Sequence, residues 1–363
     1  MNDEEIIQIL VIFRHGKRNS FVDLDTGNIY ETDLIKENTN VNISKGKNFI
    51  KKYFQNKNFQ EIFNEKNFKS FISNSIRTIK TFLLRVYDSL SEKDKNNFFD
   101  YSLNNLKEIC IKNYNANFES KIFSSFEEAN KIANYYTMKN SKYFELFEEI
   151  KKNLKKKSEK VLNLFLNYYN NEIYEKKELK YFSLCIIYDF LSFSLDEVKK
   201  KFKKEHFEIL NVFNELNVNK KMMDLILQNP NVFTVYNYKL FEIIRNNLFG
   251  IEKNYKKLIF FSGHDVYLCS FLNALKFDVE NKNYFFDDEI KIIVFKKKNK
   301  IFVKFLYNDE TLKINFDKNK ENIFEIEIEK FVDYLNNNFL NKFTYQNIID
   351  FCEFKNKKDL ISE

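Results

Sequence analysis

The sequence of 363 residues has no Trp, one Pro, three His, four Cys and five Gly. Arg is also rare, because only five of the 59 Lys and Arg residues are Arg. The scarcity of Pro and Gly excludes a long Pro- or Gly-rich linker that would mark a domain boundary. The four Cys lie far apart without a C-x-x-C pair, which predicts reduced thiols in a reducing compartment and leaves one disulfide pair as the alternative.

Long apolar runs are missing as well. The nearest candidate, "FSLCIIYDFLSF", is interrupted by Asp189 and falls short of the roughly 20 residues that span a membrane. The N-terminal "MNDEEIIQIL" is acidic, whereas a secretory signal begins with basic residues and continues into a longer apolar core. We therefore expect a cytoplasmic protein without a membrane partner.

The chain is otherwise rich in hydrophobic (44%) and charged (31%) residues, as in a globular protein. Its net charge of +7 suits anionic ligands but comes from Lys spread along predicted helix faces. Because no basic arm or patch stands out, we expect no nucleic-acid partner.

The apolar run "IIQILVIF" predicts a strand that is buried on both faces, and strands and helices then alternate up to about residue 95. Residues 96–230 show helical periodicity without clear buried strands. The sequence therefore predicts an α/β fold with a mostly parallel central sheet flanked by helices. We expect residues 1–95 and 231–363 to form this domain, and residues 96–230 to form an inserted helical cap.

Three segments share one design, in which an apolar strand is followed by rare residues and then by a helix. They are "LVIFRHGKR", "FISNSIRTIKT" and "IFFSGHDVYL". In a parallel sheet the carboxyl ends of the strands meet at one edge, where ligands bind. We expect these segments to converge there and to bring together Arg14, His15, Arg18, Arg77, His264 and Asp265.

Such a cluster would bind a dianion, because the planar fork of Arg matches phosphate oxygens. Asp265 would repel bound phosphate when ionised, so its presence favours a role as a protonated acid near a leaving group. A His among arginines can stay neutral, and a neutral imidazole can attack phosphorus. For His206 we predict a helix surface position, and for Arg85 and Arg245 we predict salt bridges.

These motifs resemble those of the histidine acid phosphatase family, the branch with an RHGxRxP motif and a distal HD pair. "LVIFRHGKR" resembles the first motif, "SGHDVYLCSFLNAL" the distal motif, and "SIRTIKT" the segment D-R-T-x-x-S. Weaker similarities are "NISKGKNFIKKYF", "CIIYDFL" and "IFVKFLYNDE". The resemblance implies the phosphoglycerate mutase-like acid phosphatase fold and covers most of the chain in order, apart from about 95–180.

The resemblance implies hydrolysis of a small phosphomonoester in two steps. His15 would become a phosphohistidine, and Asp265 would protonate the leaving alcohol and then help to activate water. Arg14, Arg18, Arg77 and His264 would hold the phosphoryl oxygens, so that no metal or other cofactor is implied. Because family members often form dimers, a homodimer stays open.

The sequence departs from the family pattern at three places. Asn19 and Ser20 follow Arg18 where the family has proline, Ile76 replaces an Asp, and Thr81 replaces a Ser. Two alternatives follow. Enzymes like phosphoglycerate mutase share RHG, but Arg18 and Asp265 argue against that branch. The second is a catalytically weak or inactive anion-binding protein of the same fold, which the change at Ile76 favours.

Overall fold

The computed structural model describes residues 4–20, 22–26, 28–29, 33–36, 39–55, 57–118, 140–170, 183–194, 196–227, 230–249, 255–277, 286–315 and 323–342. The chain divides into two compact units. The first comprises Met1–Lys17, Leu34–Ser125 and Phe233–Glu363. The second comprises Arg18–Asp33 and Phe126–Val232.

The described strands, in chain order, are β1 (Glu5–Arg14), β2 (Val22–Asp23), β3 (Asn28–Ile29), β4 (Phe68–Ile72), β5 (Ala116–Asn117), β6 (Leu258–Gly263), β7 (Glu289–Lys297), β8 (Lys300–Tyr307), β9 (Glu310–Thr311) and β10 (Glu325–Glu327). The described α-helices are α1 (Thr39–Tyr53), α2 (Phe59–Ile62), α3 (Ile76–Arg85), α4 (Glu92–Asn97), α5 (Leu103–Tyr114), α6 (Ser141–Lys157), α7 (Glu159–Tyr169), α8 (Ser183–Phe193), α9 (Asp196–Lys199), α10 (Lys204–Glu215), α11 (Val218–Leu227), α12 (Pro230–Asn247), α13 (Asp265–Ala274) and α14 (Ile328–Leu335).

One sheet organises the first unit. Its strand order is β10-β8-β7-β1-β6-β4-β5, and β9 pairs with β8. The pairs β1–β6, β6–β4 and β4–β5 are parallel, whereas the pairs on the other side of β1 are antiparallel. The predicted α/β fold with a central sheet is confirmed, but the sheet is mixed rather than mostly parallel, because β7 to β10 add antiparallel pairs on one side of β1. Its parallel half contains all three strands of the predicted site.

The parallel strands are the continuous apolar runs of the sequence. The last seven residues of β1 and all six of β6 are buried, as expected for strands covered on both faces. Phe rings from β4, α3 and β6 pack edge to face beside β1, among them Phe68, Phe82 and Phe260. Each buried Phe stabilises the fold by about 1.5–3 kcal/mol, and together they fix the strand ends that bear the site.

Helix α1 packs very closely against α3. A Cβ added at Gly46 would lie 2.0 Å from the carbonyl oxygen of Arg85, so only glycine allows this approach. α1 begins at Thr39, and its buried Asn42 bonds to Arg85 and Asp287.

Two segments fall outside their predicted domains. Residues 96–118 lie in the first unit, because α5 packs on α3 and β5 pairs with β4. Residues 18–33 belong to the second unit, where Asp25 accepts a hydrogen bond from Tyr168 of α7 at 2.6 Å. Local composition does not reveal contacts between residues so distant in the sequence, so it could not predict these boundaries.

The second unit packs α6, α7, α8, α10 and α11 around a shared apolar core. His206 lies inside it, with 5% of its surface exposed, so the predicted surface position is wrong. Its Nδ1 accepts from the Lys203 N–H at 3.0 Å, its Nε2 lies 2.8 Å from the Tyr168 hydroxyl, and its ring stacks on Phe202. Burial lowers the pKa of His206 and favours the neutral ring.

The late strands form a hairpin. β7 and β8 pair in register from Ile290 to Lys297, and Lys298 and Asn299 make the turn, both with positive φ. Cys110, Cys185 and Cys269 are thiols, and Cys352 lies outside the described residues. Across the described ranges, no helix has the length and apolarity needed to cross a membrane.

Candidate active site

The carboxyl ends of β1, β6 and β4 meet at one edge of the sheet. Arg14 pairs in register with Gly263, and Ile72 pairs with Ser262. Each strand therefore ends at the same level, where His15, His264 and the start of α3 follow directly. The structure thus brings the three segments together as the sequence predicted.

His15 is buried, with 3% of its surface exposed. Its backbone N–H donates to the Gly263 carbonyl at 3.0 Å, which ties the end of β1 to β6. Its Nδ1 lies 2.8 Å from the Gly16 carbonyl oxygen. Because a carbonyl can only accept, Nδ1 must carry the proton and donate it. In the neutral ring, Nε2 therefore has the lone pair available for reaction.

Thr81 of α3 holds the loop after His15. The Gly16 N–H donates to the Thr81 hydroxyl at 2.8 Å, and that hydroxyl donates to the Arg77 carbonyl at 2.8 Å. Arg77 itself is half-buried in the first turn of α3, at the end of β4. One hydroxyl thus connects the turn of the first motif to the helix that bears Arg77.

His264 directly precedes α13 and lies beside His15, with 5.4 Å between their ring centroids. Its Nε2 is 2.9 Å from the hydroxyl of Ser73, which follows β4. The Ser73 N–H donates to the Ser262 carbonyl at 2.9 Å. Ser73, a residue that the sequence analysis did not select, therefore fixes the imidazole orientation of His264.

Arg14 and Asp265 form an ion pair across the strand ends. Their Nη2 and Oδ2 atoms are 2.9 Å apart, and their side chains are 10% and 35% exposed. The other carboxylate oxygen of Asp265 accepts from the Val266 N–H at 2.9 Å, in the first turn of α13. Asp265 is thus placed beside the cation that would bind a phosphoryl oxygen, and it is open to solvent.

The segment Phe286–Glu289 also borders the site, and the sequence analysis missed it. Phe286 lies over Arg14, with 4.2 Å from the guanidinium carbon to the ring centroid. Asp287, Asp288 and Glu289 are all buried. The signal in the sequence was "FFDDE", a run of carboxylates whose last residue, Glu289, begins the buried strand β7.

Of these buried carboxylates, Glu289 is paired with cations of the first unit. Arg85 pairs with Glu289, which confirms the predicted salt bridge of Arg85, and Lys291 also pairs with Glu289 at 2.5 Å. Burial alone would raise the pKa of Glu289, but the Arg85 and Lys291 cations hold that pKa below its usual value. Arg245 donates to the Asn246 and Asn336 side chains at 3.0 and 3.1 Å.

Arg18 belongs to the second unit, unlike the other five predicted residues. Its two terminal nitrogens lie 3.2 and 2.8 Å from the two carboxylate oxygens of Asp189, in a bidentate pair. The Ser20 hydroxyl donates to the same carboxylate at 2.9 Å. Asp189 and Ser20 therefore fix the plane of the Arg18 guanidinium.

For metals, no group of three or more His, Cys, Asp or Glu suited to an ion occurs among the described residues.

The structure resembles several solved structures over most of its length. The phytase of Citrobacter braakii has a TM-score of 0.59 at 12% identity, covering 93% of this chain and 99% of that one. The phytase of Hafnia alvei in complex with myo-inositol hexakis sulphate gives 0.54 at 10%, covering 93% and 97%. The multiple inositol polyphosphate phosphatase of Bifidobacterium longum, in complex with inositol hexasulfate, gives 0.54 at 9%, covering 92% of both.

No family model matches the sequence, and no curated protein matches it either. At identities this low the structural likeness concerns the fold. The chain has the α/β fold of the histidine acid phosphatases, as the resemblance of its motifs implied.

Proposed function

We propose that the protein is a phosphomonoester hydrolase of the histidine acid phosphatase kind, with His15 as the nucleophile. The observation that carries this proposal is the tautomer of His15. Its Nδ1–H donates to the Gly16 carbonyl at 2.8 Å, so the reactive lone pair is on Nε2. The arginine and the carboxylic acid that the reaction needs, Arg14 and Asp265, lie at the same strand ends.

The first step forms a bond between His15 Nε2 and phosphorus while the bond to the ester oxygen breaks. The leaving oxygen takes the electron pair and receives a proton from Asp265 in its acid form. In the second step water attacks phosphorus and gives a proton to the Asp265 carboxylate. The P–N bond then breaks, and its electron pair returns to Nε2.

Arg14, Arg77 and His264 stabilise the charge on the phosphoryl oxygens in both steps. Arg14 is paired with Asp265 in the ligand-free protein, so a phosphoryl group competes with Asp265 for the same guanidinium. Losing this cation favours the protonated form of Asp265, which is the form that the first step needs. For Arg18, the proposal depends on its position in the RHGxR motif and on its fixed guanidinium.

For the substrate, inositol polyphosphates are the first class to test, because phytases and an inositol polyphosphate phosphatase share the fold. Nucleotides, sugar phosphates and phosphopeptides complete the panel. The readout is phosphate released by the wild-type protein from each compound under identical conditions.

The proposal is tested with an aryl phosphate between pH 4 and 7. We expect the wild type to hydrolyse it and His15→Ala to lose the activity while it still binds inorganic phosphate. Full activity of His15→Ala would contradict the assignment of the nucleophile. A wild type that binds phosphate without hydrolysing any ester would instead indicate the anion-binding protein, the alternative that Ile76 suggested.

A further inference from the structure

Phe286 contacts two residues of the proposed chemistry, Arg14 and His15. Its ring centroid lies 4.2 Å from the guanidinium carbon of Arg14 and 5.7 Å from the ring centroid of His15. The Arg14 side chain is only 10% exposed. A cation over an aromatic face is attracted to the ring electrons, and this attraction is stronger when water is excluded.

The backbone fixes this ring relative to the first motif. The Arg14 N–H donates to the Asp288 carbonyl at 2.9 Å, and the Asp287 N–H donates to the His15 carbonyl at 3.4 Å. These two bonds tie the residues that follow Phe286 to the backbone of Arg14 and His15, whose side chains contact its ring.

Buried side chains hold the same segment from behind. Asn42 donates to the Asp287 carboxylate at 2.7 Å. Tyr307 and Asn308 donate to the two oxygens of the Asp288 carboxylate at 2.5 and 2.7 Å. Since both carboxylates are more than nine-tenths buried and hydrogen-bonded, Phe286 stands on a rigid support.

We propose that Phe286 is a positioning residue that fixes the guanidinium plane of Arg14 through a cation–π contact. The role rests on the proposed function, in which Arg14 exchanges its ion pair with Asp265 for a phosphoryl group. During this exchange the carboxylate leaves and the aromatic face stays. Phe286 thus keeps Arg14 oriented at the moment when its charged partner changes.

The first test needs no ligand. Rotation of the Arg14 guanidinium about its Nε–Cζ bond is measured by NMR in 15N-labelled protein, where five arginines make assignment through Arg14→Lys straightforward. We expect rotation to become several-fold faster in Phe286→Leu and to return toward the wild-type rate in Phe286→Tyr. Phe99→Leu is the matched control, because Phe99 also lies under a lysine, 5.5 Å from Lys80, and is outside the site.

The second test is the affinity for inorganic phosphate, measured by calorimetry. Phe286→Leu should weaken binding about three- to tenfold, and Phe286→Tyr should recover most of the loss. Phenylalanine analogues with increasing fluorination at position 286 should weaken binding in steps, because fluorine removes charge from the ring face while the shape changes little.

The results separate this proposal from the proposed function. Equal rotation rates in wild type and Phe286→Leu, or affinity independent of fluorination, would overturn the role of Phe286. A wild type that binds phosphate but hydrolyses no ester would overturn the hydrolase and leave both tests of Phe286 intact.

Discussion

Each unit contains an ion pair between an arginine and an aspartate, and the two pairs differ in how far the aspartate is exposed to solvent. In the first unit, called the sheet unit below, Arg14 pairs with an Asp265 side chain that is 35% exposed. In the second unit, called the helical unit below, Arg18 pairs through both terminal nitrogens with an Asp189 side chain that is 11% exposed. Under the proposed function the first pair exchanges its carboxylate for a phosphoryl group, whereas the second pair is an internal contact that is less exposed to solvent.

The histidines show the same contrast. His15 lies at the strand ends of the sheet unit with a defined tautomer, and its proposed role is chemical. His206 lies in the core of the helical unit, between the Lys203 N–H and the Tyr168 hydroxyl. A rare residue type therefore indicates a position that needs that particular side chain. Only the contacts around the side chain distinguish a chemical role from a structural one.

We expect the largest effect from a substitution in the pair of Arg14 and Asp265. Asp265→Asn should lower kcat by about 10²- to 10⁴-fold, because the amide cannot supply the proton. The loss should be greater for alkyl than for 4-nitrophenyl esters, whose leaving group needs less protonation. Steady-state kinetics with both esters measure this.

Asp309→Asn is the matched control, since Asp309 also forms ion pairs in the sheet unit, with Lys52 and Lys291. It should stay within about twofold of wild type. Equal losses for Asp265→Asn on the alkyl and aryl esters would argue against the general-acid role.

The fixed pair of the helical unit should respond mainly in stability. Asp189→Asn leaves the Arg18 cation, whose side chain is 12% exposed, without its carboxylate, which should lower the free energy of unfolding by about 3 kcal/mol. In kinetics, we expect KM for the ester to rise more than kcat falls. Urea unfolding and kinetics are compared with Asp196→Asn, which changes an exposed carboxylate of the same unit. If Asp189→Asn behaved like this control, the pair would contribute neither to stability nor to KM.

Substitutions at Thr81 test whether its hydroxyl, which bonds to Gly16 and Arg77, stabilises the loop after His15. Thr81→Val keeps the shape but removes the acceptor for the Gly16 N–H, so we expect a loss of about 1–3 kcal/mol in stability. We also expect kcat/KM to fall by about tenfold. Thr81→Ser retains the hydroxyl and should recover most of both. A serine variant as impaired as the valine variant would contradict the hydrogen-bond role.

The smallest effect concerns His206 and pH. Because burial lowers its pKa in the folded protein, the unfolded chain binds the proton first as pH falls below about 6.5. Stability should therefore decrease from there down to the folded pKa, by at most about 1.4 kcal/mol per pH unit. His206→Gln should lack this component of the slope in urea unfolding between pH 7.5 and 5. Identical slopes in both proteins would show that His206 is not buried in its neutral form.

The candidate residues at the strand ends of the first unit could be predicted from the sequence because continuous apolar runs ended in rare residues. Phe286 was not readable, since Phe is one of the commonest residues here, with 42 copies, and its partner Arg14 is far away in the sequence. The pair of Arg18 and Asp189 spans 171 positions. Contacts of this kind arise from tertiary packing, and no local sequence pattern predicts them.

The central claim is that phosphate passes through Nε2 of His15. The direct measurement is rapid quenching of the enzyme with a 32P-labelled ester, followed by mapping of the labelled peptide. The account predicts an acid-labile, base-stable label on His15 that forms and decays at rates compatible with turnover, and no label in His15→Ala. Steady turnover without label, or label on another residue, would contradict it.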